Sequence, residues 1–349
     1  MRKCSLHLLL RQFSVFAGIV CFALIIRIGF VIFLSSALDS RRTLSVDALS
    51  YHQVAQNLVE HHIFTSPIDP PYNPQLPSTF RPPLTPFYLA AIYRVFGVNL
   101  LWGRLGLALI SAISCGLTYW LGEKLFGRTT GIVAGVISCG YPFFLLLVHL
   151  PLTEGLSIFF SLAIMILLYS HNVYVQNIRW VITVGFMFGL LLLNKASNIT
   201  MLPCIVLTFF LFGVRRNFLL KVCLVIIVTI LTILPWTIRN YHIVGMLAPV
   251  NSNGGWTFYL GNNPYTAQNL FALEQGISNG WVPPKEVFEP FSDLTFTNIK
   301  MYEKRAISLG LAFIRENPEN FLNFALRKLK IFWNPFHHHG KRGFKVFRY

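Results

Sequence analysis

Residues 13–38 read FSVFAGIVCFALIIRIGFVIFLSSAL, an apolar run whose one charged residue is Arg27. A helix needs roughly 20 apolar residues to cross the hydrocarbon core of a bilayer. The run follows Met-Arg-Lys and so invites comparison with a secretory signal. It is longer than the roughly 7–15 residues of a signal's apolar region, and no small-x-small cleavage site follows it. It therefore predicts an uncleaved membrane anchor. Similar apolar runs recur near 98–121, 130–150, 152–171, 180–194, 199–213 and 218–236. Together they predict an all-α polytopic membrane protein of about seven spans.

The bulk composition agrees. The 349 residues are 54% hydrophobic and 12% charged, with a mean hydropathy of +0.57. A soluble domain carries about 25% charged residues, so this chain has too little polar surface to coat a globule. The net charge of +16 raises nucleic acid as a partner. However, the bases lie between apolar runs rather than in one stripe, and no binding module is recognisable. The expected surroundings are a lipid bilayer, with no nucleic acid.

Those bases set the expected orientation. Arg2, Lys3 and Arg11 precede the first span; Lys124, Arg128, Arg179, Arg215, Arg216 and Lys221 lie in alternate loops. The intervening connections, 150–152 and 195–198, are nearly bare. By the positive-inside rule the N-terminus is cytoplasmic in a cell inner (plasma) membrane, and the C-terminus is not. Two long segments, 39–97 and everything after about Trp236, then face outward. The corresponding division is a transmembrane module over 1–236 and a non-cytoplasmic segment over 237–349. Five of the six cysteines fall in or beside the spans, with Cys4 at the cytoplasmic end and none in the outer segments. Neither disulfides nor a cysteine metal cluster is expected.

In the first outer segment, Ser45 is placed to cap a helix whose apolar positions, Ala48, Tyr51, Ala55 and Leu58, recur at helical spacing. This predicts an amphipathic helix lying on the membrane surface. Prolines from Pro67 to Pro86 predict an extended chain, with helical spacing resuming over 87–96. In the second segment, Asn251-Ser-Asn-Gly-Gly255 and Gly261-Asn-Asn-Pro264 read as turns that place amides near a ligand. Two amphipathic helical runs then follow between Tyr302 and Phe332, broken at Asn317-Pro318.

Acids are scarce, thirteen in all, which singles out Asp47 and Glu154 near the outer face. Ionisable groups at a membrane are candidates for function, although either acid equally suits the first turn of a helix as a dipole-complementing charge. Lys195 fits an anionic headgroup or a snorkelling position; Arg81, Arg239 and His149 are similarly two-sided. Taken together, they offer a carboxylate and several cations at a lipid–water boundary. Glycosyl transfer from a lipid-linked phosphate needs that set. One carboxylate serves as general base for the acceptor hydroxyl, and cations stabilise the departing phosphate. Glycoside hydrolysis would instead call for two facing carboxylates.

Asp47-Ala-Leu-Ser-Tyr51, Arg81-Pro-Pro-Leu-Thr-Pro-Phe-Tyr-Leu89 with Arg94-Val-Phe-Gly97, and Leu152-Thr-Glu154-Gly-Leu156 occur in that order. The Lys195 region, Leu234-Pro-Trp-Thr-Ile-Arg-Asn-Tyr241 and Gly261-Asn-Asn-Pro264 follow. The ordered set resembles the GT-C membrane glycosyltransferases of the family 39 kind, relatives of protein O-mannosyltransferases and aminoarabinose transferases. That resemblance implies an inverting transferase taking a sugar from a polyprenyl-phosphate donor to a glycolipid, glycan or protein of the cell envelope. Carried over, Asp47 stands at the reaction centre. Glu154, Lys195 and Arg239 line the donor-phosphate side, and Tyr51, Arg81, Asn240 and Asn262 complete the substrate-binding set. No cofactor is expected, and Asp47-Ala48 in place of an acidic pair argues against a metal ion. The family usually continues into further spans, whereas this chain closes on a basic tail containing His337-His-His339. That difference keeps open a catalytically inactive membrane partner protein. Arg27, in mid-span, keeps open a transporter of lipid-linked sugars, although no repeat supports one.

Overall fold

The computed structural model describes residues 2–37, 44–170, 178–211, 218–274, 283–294 and 298–333. Three features singled out in the sequence lie outside the described residues: the start of the first outer segment (39–43), Arg215 with Arg216, and the histidine tail. The described residues are helical with no strand. They divide into two compact units, Met1–Ile243 with Leu247–Asn251, and Val244–Met246 with Ser252–Tyr349.

The first unit contains α1 (Arg2–Ala37), α2 (Val46–Glu60), α3 (Leu84–Phe96), α4 (Leu100–Phe126) and α5 (Arg128–Gly140). It continues with α6 (Pro142–His149), α7 (Glu154–Ser170), α8 (Ile178–Asn194), α9 (Met201–Leu211) and α10 (Phe218–Val244). Each predicted span has its helix. Three stretches, Gln12–Ser36, Leu100–Phe126 and Phe218–Val244, are long and apolar enough to cross a membrane singly. The pair α5 and α6, bent by 48° at Tyr141, makes a fourth if it is one span. The remaining apolar helices are shorter, α7 and α8 having 17 residues each, or roughly 25 Å at 1.5 Å per residue. Only 11% of the most apolar stretch of α10 is buried within the protein, and Leu231 and Ile227 on it are exposed. An apolar helix left so bare belongs in lipid, and the chain is an all-α polytopic membrane protein.

Close packing of the spans rests on small residues. A side chain at Gly131 would bring its Cβ within 2.6 Å of the Glu123 backbone N, which lets α5 lie directly on α4. Ile19, Ala23, Ala112, Cys115, Tyr119 and Cys139 fill the α1–α4–α5 core. A second core joins α7, α8, α9 and α10 through Ile164, Phe188, Phe209 and Val225.

Arg27 is fully buried within the first core. It donates to the carbonyls of Cys139 at 3.2 Å, Ser138 at 3.4 Å and Ala23 at 3.2 Å, and to Ser111 Oγ at 2.8 Å. Pro142 has no N–H to offer Ser138, four residues back, so the bend frees carbonyls that lipid cannot satisfy. Arg27 satisfies them.

Two expectations for the first outer segment need correction. The apolar face of α2, predicted to rest on the membrane surface, packs on protein: Tyr51 and Ala55 join Leu89, Tyr93 and Leu107 of α3 and α4. Helix α3 begins at Leu84 rather than after Pro86. Pro86 falls in the first helical turn, where an N–H has no intrahelical partner to lose. Pro235 likewise does not end the last span, since α10 runs through it to Val244.

The second unit holds α11 (Gly254–Leu260), α12 (Thr266–Glu274), α13 (Ile299–Glu316) and α14 (Pro318–Phe332). The stretch read as a Gly-Asn turn opens α11. Glu303 accepts from the backbone N–H of Gly255 at 2.5 Å and of Trp256 at 3.1 Å, satisfying donors left over at that helix start. Tyr259, Val287, Phe291 and Tyr302 form its core.

Candidate active site

The proline-rich segment is held down on α2. Asn57 Nδ2 donates to the Thr65 carbonyl at 2.9 Å and Ser66 Oγ to Gln53 Oε1 at 2.8 Å. Ser78 Oγ donates to the Pro70 carbonyl at 2.7 Å, closing the loop on itself. These bonds carry two residues far apart in sequence, Asp69 and Arg81, over Ser50 on the buried side of α2.

Arg81 is the hub. Its Nη1 donates to Asp47 Oδ1 at 2.7 Å, its Nη2 to Asp69 Oδ1 at 3.0 Å, and its Nε to Ser50 Oγ at 2.9 Å and to both Asp69 oxygens at 3.2 Å. Ser50 donates in turn to Asp69 Oδ2. The guanidinium also sits 5.3 Å from the centre of the Tyr51 ring and 5.0 Å from that of Phe80. Burial works against the Arg81 charge. The attraction and hydrogen bond of Asp69, with smaller contributions from Asp47 and Tyr51, outweigh it and raise its pKa above the ordinary arginine value.

The two carboxylates differ sharply. The Asp69 side chain is 2% exposed and the Asp47 side chain 63%. Asp47, held by one oxygen and otherwise facing outward, is placed to meet a reactant. It also occupies the first turn of α2, behind the Ser45 cap on Ala48 N, so it complements the helix dipole as well.

A second cluster forms where α3, α7 and α8 meet. Asn194, fully buried at the end of α8, donates to the Thr153 carbonyl at 2.6 Å and to Ser157 Oγ at 2.9 Å, and accepts from Thr85 Oγ1 at 2.7 Å. This knot fixes the ends that carry Glu154 and Lys195, which pair at 2.8 Å with both side chains part-exposed. The Tyr51 ring lies beneath the Arg81 guanidinium. Burial pushes its hydroxyl well above the usual tyrosine range, Arg81 opposes this, and the charges of both Asp47 and Glu154 add to it.

The structure brings Asp47, Tyr51 and Arg81 into one cluster and pairs Glu154 with Lys195 in the other. Arg239 and Asn240 do other work. Arg239 lies over the Trp236 ring at 4.2 Å and donates to the Ser78 carbonyl at 3.0 Å. Asn240 is buried and holds the Ala248 carbonyl at 2.9 Å and that of Val250 at 3.2 Å. Both clamp backbone. Asn262, in the second unit, donates to the Phe258 carbonyl at 2.8 Å and closes α11. His149 is buried with its backbone carbonyl accepting from Arg104 at 3.0 Å. Among the described residues no group of three or more His, Cys, Asp or Glu side chains converges as a metal site.

Asp69, Ser50, Thr85 and Asn194 escape the sequence reading. Asn194 carried a signal, a polar amide closing the apolar run Leu190-Leu-Leu-Leu-Asn194. Asp69 carried little, lying among prolines with no periodicity to orient it.

Residues 80–238 match the family described as dolichyl-phosphate-mannose-protein mannosyltransferase, of the GT-C type. The match bears out, over the stretch it covers, the resemblance to GT-C membrane glycosyltransferases. It includes Arg81, Glu154 and Lys195; Asp47, Tyr51 and Asp69 precede it, and Arg239 follows. No curated protein and no solved structure matches the chain.

Proposed function

We propose that the protein is an inverting glycosyltransferase that moves a sugar from a polyprenyl-phosphate donor to a hydroxyl of a cell-envelope acceptor, at the non-cytoplasmic face of the plasma membrane. Asp47 takes the proton of the acceptor hydroxyl. That oxygen forms its bond to the anomeric carbon as the bond from this carbon to the phosphate oxygen breaks. Polyprenyl phosphate departs with the electron pair, and no strong general acid is needed because the phosphate is already a good leaving group.

The observation that carries this reading is the asymmetry around Arg81: a buried carboxylate holds the guanidinium, and an exposed one is held by it. Asp47 is thereby oriented without being enclosed. Lys195 is the cation suited to the phosphate. Its pair with Glu154 is part-exposed, and such pairs contribute roughly 0–1 kcal/mol, so a phosphate can displace the carboxylate. Arg81 is less available, since breaking its pair with Asp69 strands a carboxylate that is only 2% exposed.

The outward placement rests on the loop charges and on seven crossings, the shorter helices included. Purified full-length protein in detergent, given a labelled polyprenyl-phosphate sugar and an envelope extract as acceptor, is expected to transfer the sugar. Transport has no meaning in detergent, so turnover there separates transfer from translocation. Absence of turnover together with co-purification of an active partner would favour the inactive-partner reading.

A further inference from the structure

Helix α14 has two faces of different character. On the inner one, Phe324 is 5% exposed and stacks on Phe313 with ring centres 6.1 Å apart. Arg327 on the same side pairs with Glu274 at 2.7 Å. The other face carries Leu322, Leu326, Leu329 and Trp333, exposed by 61%, 67%, 56% and 74%. Their spacing of four, three and four residues places them on one stripe along the helix, and Phe332, also exposed, adjoins it. Lys330, exposed, edges the stripe on one side, whereas Lys328 turns inward and donates to the Gly261 carbonyl at 2.7 Å. After Glu319 the sequence to Tyr349 contains seven Lys and Arg and no Asp or Glu.

We propose that this face of α14 is a membrane-surface element, lying in the interfacial plane with its leucines among the acyl chains and Lys330 at the anionic lipid headgroups. The charge identifies the occupant. A row of large apolar side chains that leads, past Glu319, into a stretch holding Lys330, Lys341, Arg342, Lys345 and Arg348 and no acid is complementary to acyl chains beneath phosphate. Trp333 and Phe332 at the end of the stripe have the amphipathic or aromatic character that membrane interfaces favour. The chain already spans a bilayer, so the surface is always within the molecule's surroundings. This inference does not depend on the transfer reaction.

The test uses the full chain reconstituted in phosphatidylcholine vesicles, with and without phosphatidylglycerol, and an apolar photoprobe confined to the acyl region. Labelling is mapped by mass spectrometry. Residues 318–333 are expected to be labelled well above residues 283–294, and more strongly with phosphatidylglycerol. The double variant Leu326→Glu with Leu329→Glu, which leaves the packed face untouched, is expected to lose that labelling while the spans keep theirs. Labelling of 318–333 at the level of 283–294 in both lipids would overturn the proposal. So would labelling indifferent to phosphatidylglycerol, or α14-to-α14 cross-links between two copies that exclude the probe.

Discussion

Asp47 and Asp69 share Arg81 on unequal terms, and substitutions at the three positions should separate the roles. Asp69→Asn removes the buried carboxylate and leaves the guanidinium with only the exposed Asp47 as a charged partner. Loss of about 3–5 kcal/mol is expected on general grounds, read as a lower thermal midpoint in detergent together with lost transfer. Replacing Asp69 by Leu and Arg81 by Met together should recover much of the stability, since an apolar pair of similar volume is often tolerated where a buried ion pair stood. Activity should not return with it, because Asp47 has lost its anchor; recovery of both would show that Arg81 only supports the fold. Lys195→Ala should raise the donor KM with little change in stability, as its ion pair is part-exposed. Lys195→Arg should retain most of the affinity. Tyr51 stays protonated through neutral pH, since burial raises its pKa, so Tyr51→Phe should leave the shape of the pH–rate profile unchanged. At this scale the sequence was legible where a residue stood alone in an apolar setting, as Glu154 and Lys195 do. It was opaque where a contact depends on how a proline loop folds back, as with Asp69.

The helices explain why those residues meet. Helical spacing and the Ser45 cap were enough to anticipate α2, and Asn317-Pro318 the break before α14. Proline positions misled at Pro86, which was read as part of an extended stretch although it sits in a first turn, and the last apolar run was read as ending near 236 although α10 continues to Val244. The environment of α2 was also hidden, since periodicity identifies an apolar face without saying whether lipid or protein covers it. Among the spans, contact between α4 and α5 depends on Gly131. Gly131→Val would press its side chain against the Glu123 and Tyr119 backbones, at 2.6 and 2.7 Å from the Cβ position. Rigid backbone cannot yield as a side chain would, so a loss of about 1–3 kcal/mol in thermal or denaturant stability is expected. Arg27 belongs to the same level: both its Nη atoms donate to carbonyls at the α5–α6 bend and its Nε to Ser111, a structural use for a charge that in sequence hinted at transport.

For the whole molecule, composition and apolar runs sufficed to identify a helical membrane protein, while the number of crossings stayed open because several helices are near the minimum length. The orientation has a direct check: a reporter fused after Tyr349 should read as non-cytoplasmic, and a cytoplasmic signal would remove Asp47 from the proposed face. The second unit was recognisable as helical, but Glu303 at the start of α11 pairs positions 48 residues apart, which no local pattern reveals. The central claim is that Asp47 is the base of a sugar transfer, and one comparison tests it most directly: turnover of purified wild-type protein against Asp47→Asn on a labelled polyprenyl-phosphate sugar. A positioned general base contributes about 10²–10⁴-fold. The variant should therefore insert and bind donor normally while its transfer rate falls by that order. Transfer at the wild-type rate would contradict the account.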